Sequence, residues 1–168
     1  MSVFRPFQLK KNITAVTAAE LRDMGVTCLL LDVDNTLTAH DSQLVDETVK
    51  NWLSDMRAAG FQLMIVSNGK EKRVAPFAKR LRIGYTAMAA KPLPFGFWRA
   101  ARRLGVKRKH CAVIGDQIFT DVLGGKLAGM RVIQLLPLAP ETDRPFIALK
   151  RKLERKIMKN WHETEELI

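Results

Sequence analysis

Short apolar runs alternate along the chain with longer segments in which apolar residues recur every three or four positions. The runs TCLLLDV (27–33), FQLMIVS (61–67), YTAMAA (85–90), CAVIGD (111–116) and RVIQLL (131–136) are aliphatic on both alternating sets of positions. A strand with one wet face alternates; a continuous run predicts a strand covered on both faces. The stretches between them, about 44–59, 70–82, 94–104 and 119–129, carry helical spacing. Gly60, Gly84, Gly105 and Gly129 fall near the four helix ends, where a left-handed cap favours glycine. Strand–helix alternation of this kind predicts an α/β fold, a parallel five-stranded sheet with helices on both faces. No repeat, low-complexity stretch or linker divides the chain, so residues 1–168 are read as a single domain with its core at about 27–136.

The last segment, 143–168, differs. Phe146, Leu149, Leu153, Ile157 and Trp161 form one apolar helical stripe, and Lys150, Arg151, Lys152, Arg155, Lys156 and Lys159 crowd the remaining faces. The spacing predicts a basic amphipathic helix. Two readings of it stand: the stripe packs on the domain and the charges are solvated, or the helix lies on an anionic bilayer with Trp161 at its apolar edge. Arg5, Lys10 and Lys11, beside Phe4 and Phe7, would add to a basic rim.

Composition narrows the partners without choosing one. Lys and Arg number 28 against 17 Asp and Glu, a formal charge of +11, which favours polyanions and phosphorylated substrates. Cys28 and Cys111 lie inside apolar runs and read as buried strand thiols, with no Cys/His spacing for zinc. The N-terminal stretch MSVFRPFQLKK lacks the apolar core of a signal peptide, and no window approaches the roughly 20 apolar residues of a spanning helix. A cytoplasmic protein is expected, with a peripheral position at the inner membrane face left open.

In a parallel sheet the C-terminal strand ends share one edge, and ligands bind there. Along that edge the sequence places Asp32 and Asp34 after the first run, Ser67 and Asn68 after the second, Lys91 after the third, and Asp116 with Asp121 after the fourth. Carboxylates crowded together cannot all ionise unless a cation joins them. A set of oxygen ligands without His or Cys suits Mg²⁺.

The segments LLLDVDNTLT, VSNG, AAKPLPFGFWRA and GDQIFTDVLGGKLAGM resemble, in order, the four motifs of the haloacid dehalogenase (HAD) superfamily of phosphohydrolases. They look most like the YqeG-type branch of the HAD IIIA phosphatases, which is similar to phosphatidylglycerophosphate phosphatases. The resemblance implies a Rossmann-like core and two-step phosphoryl transfer. Asp32 would be the nucleophile and form an aspartyl-phosphate, and Asp34 would be the general acid and base. A carboxylate is ionised at neutral pH and needs no base to activate it. Lys91 would neutralise the phosphoryl charge, and Asp116 would bind Mg²⁺ together with Asp32 and the backbone carbonyl of Asp34. Asp121 would support the site, through water on the metal or by orienting Lys91. Thr36 would bond the phosphate or support its loop; Ser67 and the amides of Asn68 and Gly69 would hold phosphate oxygens.

Plainer readings accompany each residue. Asp32–Thr36 could be a polar turn, Ser67 an N-cap of helix 70–82, and Thr120 with Asp121 a cap of the next helix. Asn35 reads as loop-stabilising, Gln117 receives no role, and His40, His110 and His162 read as surface or packing residues. The gaps between motifs are too short for a cap domain. An open site favours a bulky substrate: a protein, a nucleic acid or a lipid headgroup. Phosphatidylglycerophosphate is the substrate the resemblance favours. The alternatives are a nucleotide, sugar phosphate or phosphoprotein, or an RNA- or ribosome-associated role with a vestigial site. The last is less favoured, because the catalytic set is complete and RNA-reading aromatic motifs are missing.

Overall fold

The computed structural model describes residues 4–139 and 145–165, with the α6 side chains described through residue 158. Six parallel strands form one sheet: β1 (Gln8–Lys10), β2 (Cys28–Leu31), β3 (Gln62–Val66), β4 (Gly84–Thr86), β5 (Cys111–Gly115) and β6 (Arg131–Leu135), in the order β1-β6-β5-β2-β3-β4. Helices α1 (Ala18–Asp23), α2 (Glu47–Ala58), α3 (Glu71–Leu81), α4 (Phe95–Arg103), α5 (Leu123–Leu127) and α6 (Pro145–Glu165) cover its faces.

The unalternating runs become strands sandwiched between two apolar layers. Leu29 and Leu31 of β2 face Trp52, Leu53 and Phe77 on the α1–α3 side. Cys28 and Leu30 face Phe97, Ile118 and Val122 on the other side, with Ile157 and Met158 of α6 at its margin. Cys28 and Cys111 are buried free thiols in register on neighbouring strands. From the central strand β2 the chain crosses to β3 on one side, and β5 lies on the other. This reversal opens a crevice at the C-terminal ends of β2 and β5.

The sheet has one strand more than expected. β1 is three half-buried residues paired only with β6, too short to carry a periodic signal. The short helix α1 also lay outside the expected elements; Thr17 caps it, accepting from the Glu20 amide at 3.3 Å. The run 85–90 ends as a strand at Thr86, because Met88 (φ 46°) and Ala90 (φ 56°) adopt left-handed backbone. Gly60, Gly105 and Gly129 have positive φ at helix ends as expected, but Gly84 begins β4, and the left-handed cap of α3 is Arg82 (φ 52°). The helix expected at 119–129 begins as a π-helical turn, Ile118–Val122, which runs into α5.

Between β2 and β3 lie one loop and α2; between β3 and β4 lies α3. Neither connection carries an inserted domain. The tail does form a helix, and its stripe divides: Ile157 packs against the apolar layer beneath α4, and the earlier positions do not. Phe146 (67% exposed), Leu149 (60%) and Leu153 (49%) face outward, while Arg151 and Glu154 are buried. The inward positions are Ile147, Arg151, Glu154, Ile157 and Met158, which share one helical face. The Lys159, Trp161 and His162 side chains lie outside the described residues.

Phe97 is 1% exposed and is packed so closely that a Cβ on Gly124 would lie 2.6 Å from its ring. Phe97→Ala is expected to cost about 3–5 kcal/mol in urea denaturation. A loss under about 1 kcal/mol would show that the layer beneath α4 collapses freely.

Candidate active site

Strand β2 runs straight into the site: the Asp32 amide donates to the Ile114 carbonyl at 2.9 Å, extending the ladder by one residue. The chain then folds over its own carbonyl. The amides of Thr36, Leu37 and Thr38 converge on Val33 O at 3.3, 3.0 and 3.3 Å. Asn35 takes a left-handed turn (φ 58°), and its Oδ1 accepts from the Ala139 amide at 3.0 Å, tying the loop to the segment after β6. Thr36 is fully buried beneath the loop, and its Oγ1 has no hydrogen-bond partner among the described residues.

Lys91 stands at the centre. Its ammonium donates to Asp32 Oδ1 at 2.5 Å and Asp121 Oδ1 at 2.6 Å, with the side chain 3% exposed. Asn68 clamps the lysine backbone: its Oδ1 accepts from the Lys91 amide at 2.7 Å and its Nδ2 donates to the Lys91 carbonyl at 3.1 Å. Ser67 is not an N-cap, since α3 begins after Lys70; Ser67 Oγ instead accepts from the Gly69 amide at 3.0 Å. Asp121 sits in the π-helical turn, a distortion frequent at functional sites. Its Oδ2 accepts from the Gln117 amide at 3.2 Å, and a Cβ on Gly115 would lie 2.3 Å from its carboxyl carbon. Glycine at 115 is what lets Asp121 approach β5.

Asp32, Asp116 and Asp121 each bring a carboxylate oxygen within 4.8 Å of the other two. Asp116 Oδ2 accepts from Arg151, and its Oδ1 is buried with no hydrogen-bond partner among the described residues. A buried carboxylate oxygen left unbonded, beside two more carboxylates, fits a hard divalent cation. Asp34 belongs to a separate ion pair: Arg73 grips it through both terminal nitrogens, Nη1 to Oδ2 at 2.9 Å. His40 Nδ1 lies 3.6 Å from Asp34 Oδ1, so this histidine borders the site, whereas His110 bonds the Gly25 carbonyl elsewhere. Arg73, His40 and Arg151 carried no motif signal; only proximity in the fold reveals them.

Three buried carboxylates face two cations, Lys91 and Arg151. Burial pushes the Asp32 carboxyl up to about 7, and the Asp121 and Asp34 charges add to the rise that Lys91 opposes. Burial likewise raises Asp116, against the pull of Arg151, and the two carboxylates keep Lys91 firmly protonated despite its burial. A cleft of about 570 Å³ opens above, lined by Asp32, Asp34, Ser67, Asn68, Gly69 and Lys91 and rimmed by Lys70, Lys72, Arg73 and Lys150.

The sequence model of the haloacid dehalogenase-like hydrolases matches residues 4–129. The chain belongs to this family. It is 36% identical over 155 residues to the protein named Probable phosphatase YqeG of Bacillus subtilis (strain 168), covering 92% of this chain and 90% of that one. It is 32% identical over 94 residues to a glyceraldehyde 3-phosphate phosphatase of Methanopyrus kandleri, covering 49% of this chain and 40% of that one. A solved structure from Legionella pneumophila, assigned to subfamily III A of the HAD hydrolases, shares the fold with a TM-score of 0.51 at 22% identity over 73% of each chain. The family and its phosphatase relatives make this HAD protein a phosphatase, and HAD phosphatases use a divalent metal.

The crowding at Asp32 has a pH signature in the metal-free protein. Its folded value, about 7, exceeds the 3.8 of a free carboxyl. The folded state therefore keeps a proton that the unfolded state has lost, and this contribution to stability fades as pH rises through about 7. Asp32→Asn is expected to melt higher than wild type at pH 7.5 in EDTA, by on the order of 2–4 kcal/mol of stability, with the gain shrinking toward pH 4. A variant that melts lower at pH 7.5 would show that the Lys91 pair outweighs the crowding.

Proposed function

We propose that this chain is a Mg²⁺-dependent phosphomonoester hydrolase that removes the terminal phosphate of phosphatidylglycerophosphate at an anionic membrane surface. One observation carries the reading of the chemistry. Asp32 lies at the floor of an uncapped cleft, held by Lys91, with a second carboxylate two residues further on.

In this reading an Asp32 carboxylate oxygen attacks phosphorus, and the bond from phosphorus to the leaving oxygen breaks. Asp34 gives that oxygen its proton. Water then attacks the aspartyl-phosphate, returns a proton to Asp34, and inorganic phosphate leaves as Asp32 is regenerated. Asp34 meets Arg73 in the substrate-free protein. A phosphate dianion entering the cleft competes for that guanidinium and frees Asp34 to face the leaving oxygen. Lys91 opposes the charge that gathers on the phosphoryl oxygens, and Asp121 keeps it aimed. Asp32, the Asp34 carbonyl and Asp116 would hold Mg²⁺, which when bound neutralises phosphate charge.

The rim supports the lipid assignment. Lys70, Lys72, Arg73 and Lys150 are more cations than one phosphomonoester needs, which suits a substrate or surface with further anionic groups. Ile147 and Lys150 of α6 line the same cleft, and the next positions on that helix, Phe146, Leu149 and Leu153, point outward. An outward apolar stripe flanked by Lys150, Lys152, Arg155 and Lys156 has the sidedness of an interfacial helix. Among the described residues no helix is long and apolar enough to cross a membrane.

Phosphate release from phosphatidylglycerophosphate in mixed micelles is expected to require Mg²⁺, to exceed release from soluble monoesters, and to vanish in Asp32→Asn. Activity confined to soluble esters would discard the lipid assignment and keep the chemistry. Leu149→Asp is expected to slow hydrolysis in anionic vesicles severalfold while leaving a soluble ester unaffected; equal rates on vesicles would remove α6 from the membrane contact.

A further inference from the structure

Helix α6 reaches the centre of the site with a charge that the reaction does not use. Arg151 is 5% exposed, and its Nη2 donates to Asp116 Oδ2. One turn on, Glu154 is 3% exposed and its Oε1 accepts from the Phe119 amide at 3.2 Å, inside the π-helical turn that carries Asp121. The inner face of α6 thus touches Asp116 and the backbone of the turn that carries Asp121, while Asp116 Oδ1 is buried without a partner among the described residues.

We propose that Arg151 is a tethered competitor for the divalent cation: it partly neutralises Asp116 in the metal-free protein, so that loading the metal and seating α6 oppose each other. This rests on the reading of Asp116 as a metal ligand. Two functions for such an arginine must be weighed. It orients Asp116 so that Oδ1 faces the metal, or it substitutes for the metal's charge. Orientation needs only a hydrogen-bond donor, which a neutral amide supplies. A full positive charge on the same carboxylate does more, because it halves the site's unmet negative charge. Without Arg151 the three aspartates face Lys91 alone; with it, their excess, counted fully ionised, falls from two charges to one, and the buried Glu154 carboxylate nearby adds to that excess. A divalent ion is drawn by that excess and repelled by the guanidinium beside it, an effect magnified where water is excluded. Linkage then requires reciprocity: whatever α6 takes from metal affinity, bound metal takes from the docking of α6.

The test uses the full chain and Mg²⁺ alone, by titration calorimetry. Arg151→Gln keeps a donor and removes the charge, and is expected to bind Mg²⁺ roughly tenfold more tightly than wild type, within the usual range of coupling between sites. Arg151→Lys keeps the charge and is expected to stay close to wild type. A second measurement needs no variant: backbone hydrogen exchange across 145–158 in the wild type should speed up at saturating Mg²⁺, and should not in Asp116→Asn. Unchanged or weaker binding by Arg151→Gln, or exchange in α6 that slows or stays constant on loading, overturns the proposal. If wild type binds Mg²⁺ and Arg151→Gln matches it, only the competitor role is lost. If neither protein binds Mg²⁺ saturably, the metal-site reading falls with it.

Discussion

Lys91 is held between two carboxylates, 2.5 Å from Asp32 and 2.6 Å from Asp121, in a position water barely reaches. Isolated charges are not tolerated at such depth; paired and hydrogen-bonded ones are. The lysine therefore fixes the geometry of three chain segments at once: the exit of β2, the loop after β4 and the π-helical turn after β5. Each is prepared for the contact by its own sequence. Asn68 clamps the lysine backbone, Gly115 leaves room for Asp121, and the ladder from β5 carries Asp32 to its place. Taking away the ammonium would leave two buried carboxylates facing each other, which is more costly than losing one hydrogen bond.

The same arrangement leaves the site short of positive charge. Lys91 is shared by two carboxylates, and the third, Asp116, turns to Arg151. What the fold cannot neutralise it must leave protonated or offer to a cation, and the raised Asp32 value and the unbonded Asp116 oxygen are two expressions of that deficit. Away from the cluster the sign reverses. The rim bears three lysines and Arg73, which holds Asp34 at the boundary between the two zones. A negative floor beneath a positive rim is a field in which a metal settles at the bottom and a phosphate above it.

The floor of this site was legible in the sequence because it obeys a topological rule. Parallel strands buried on both faces read as unbroken apolar runs, their C-terminal ends must share an edge, and Asp32, Ser67, Lys91 and Asp116 each stand where such a run stops. Asp121 was legible only by its spacing from Asp116, and its place in a π-helical turn was not, since one residue more per turn leaves no mark in a short segment. Thr36 shows the limit of motif reasoning: its position was foreseen, but not its full burial. Arg73 and Arg151 were not legible, because each reaches the site across a helix-packing geometry that no local pattern encodes, and His40 was not because the path of the loop after β2 sets its place. Strand β1 escaped for another reason: three half-buried edge residues are too few to establish a period.

Helix α6 carries this lesson furthest. Its hydrophobic residues have the spacing of a core-facing stripe, and ordinary packing would turn them inward. The domain offers that helix a different surface at the site: an acidic floor and the amide of a π-helical turn that needs an acceptor. Arg151 and Glu154 answer those two demands, and only Ile157 and Met158, one or two turns further on, meet the apolar layer beneath α4. Buried polar groups without partners are more costly than exposed leucines, so the polar face wins the interior near the site and the first three residues of the apolar stripe are left outside. Exposure of Phe146, Leu149 and Leu153 is thus a consequence of what the active site requires from the helix behind it. One element thus joins the electrostatics of the carboxylate cluster, through Arg151, to the apolar character of the outer surface.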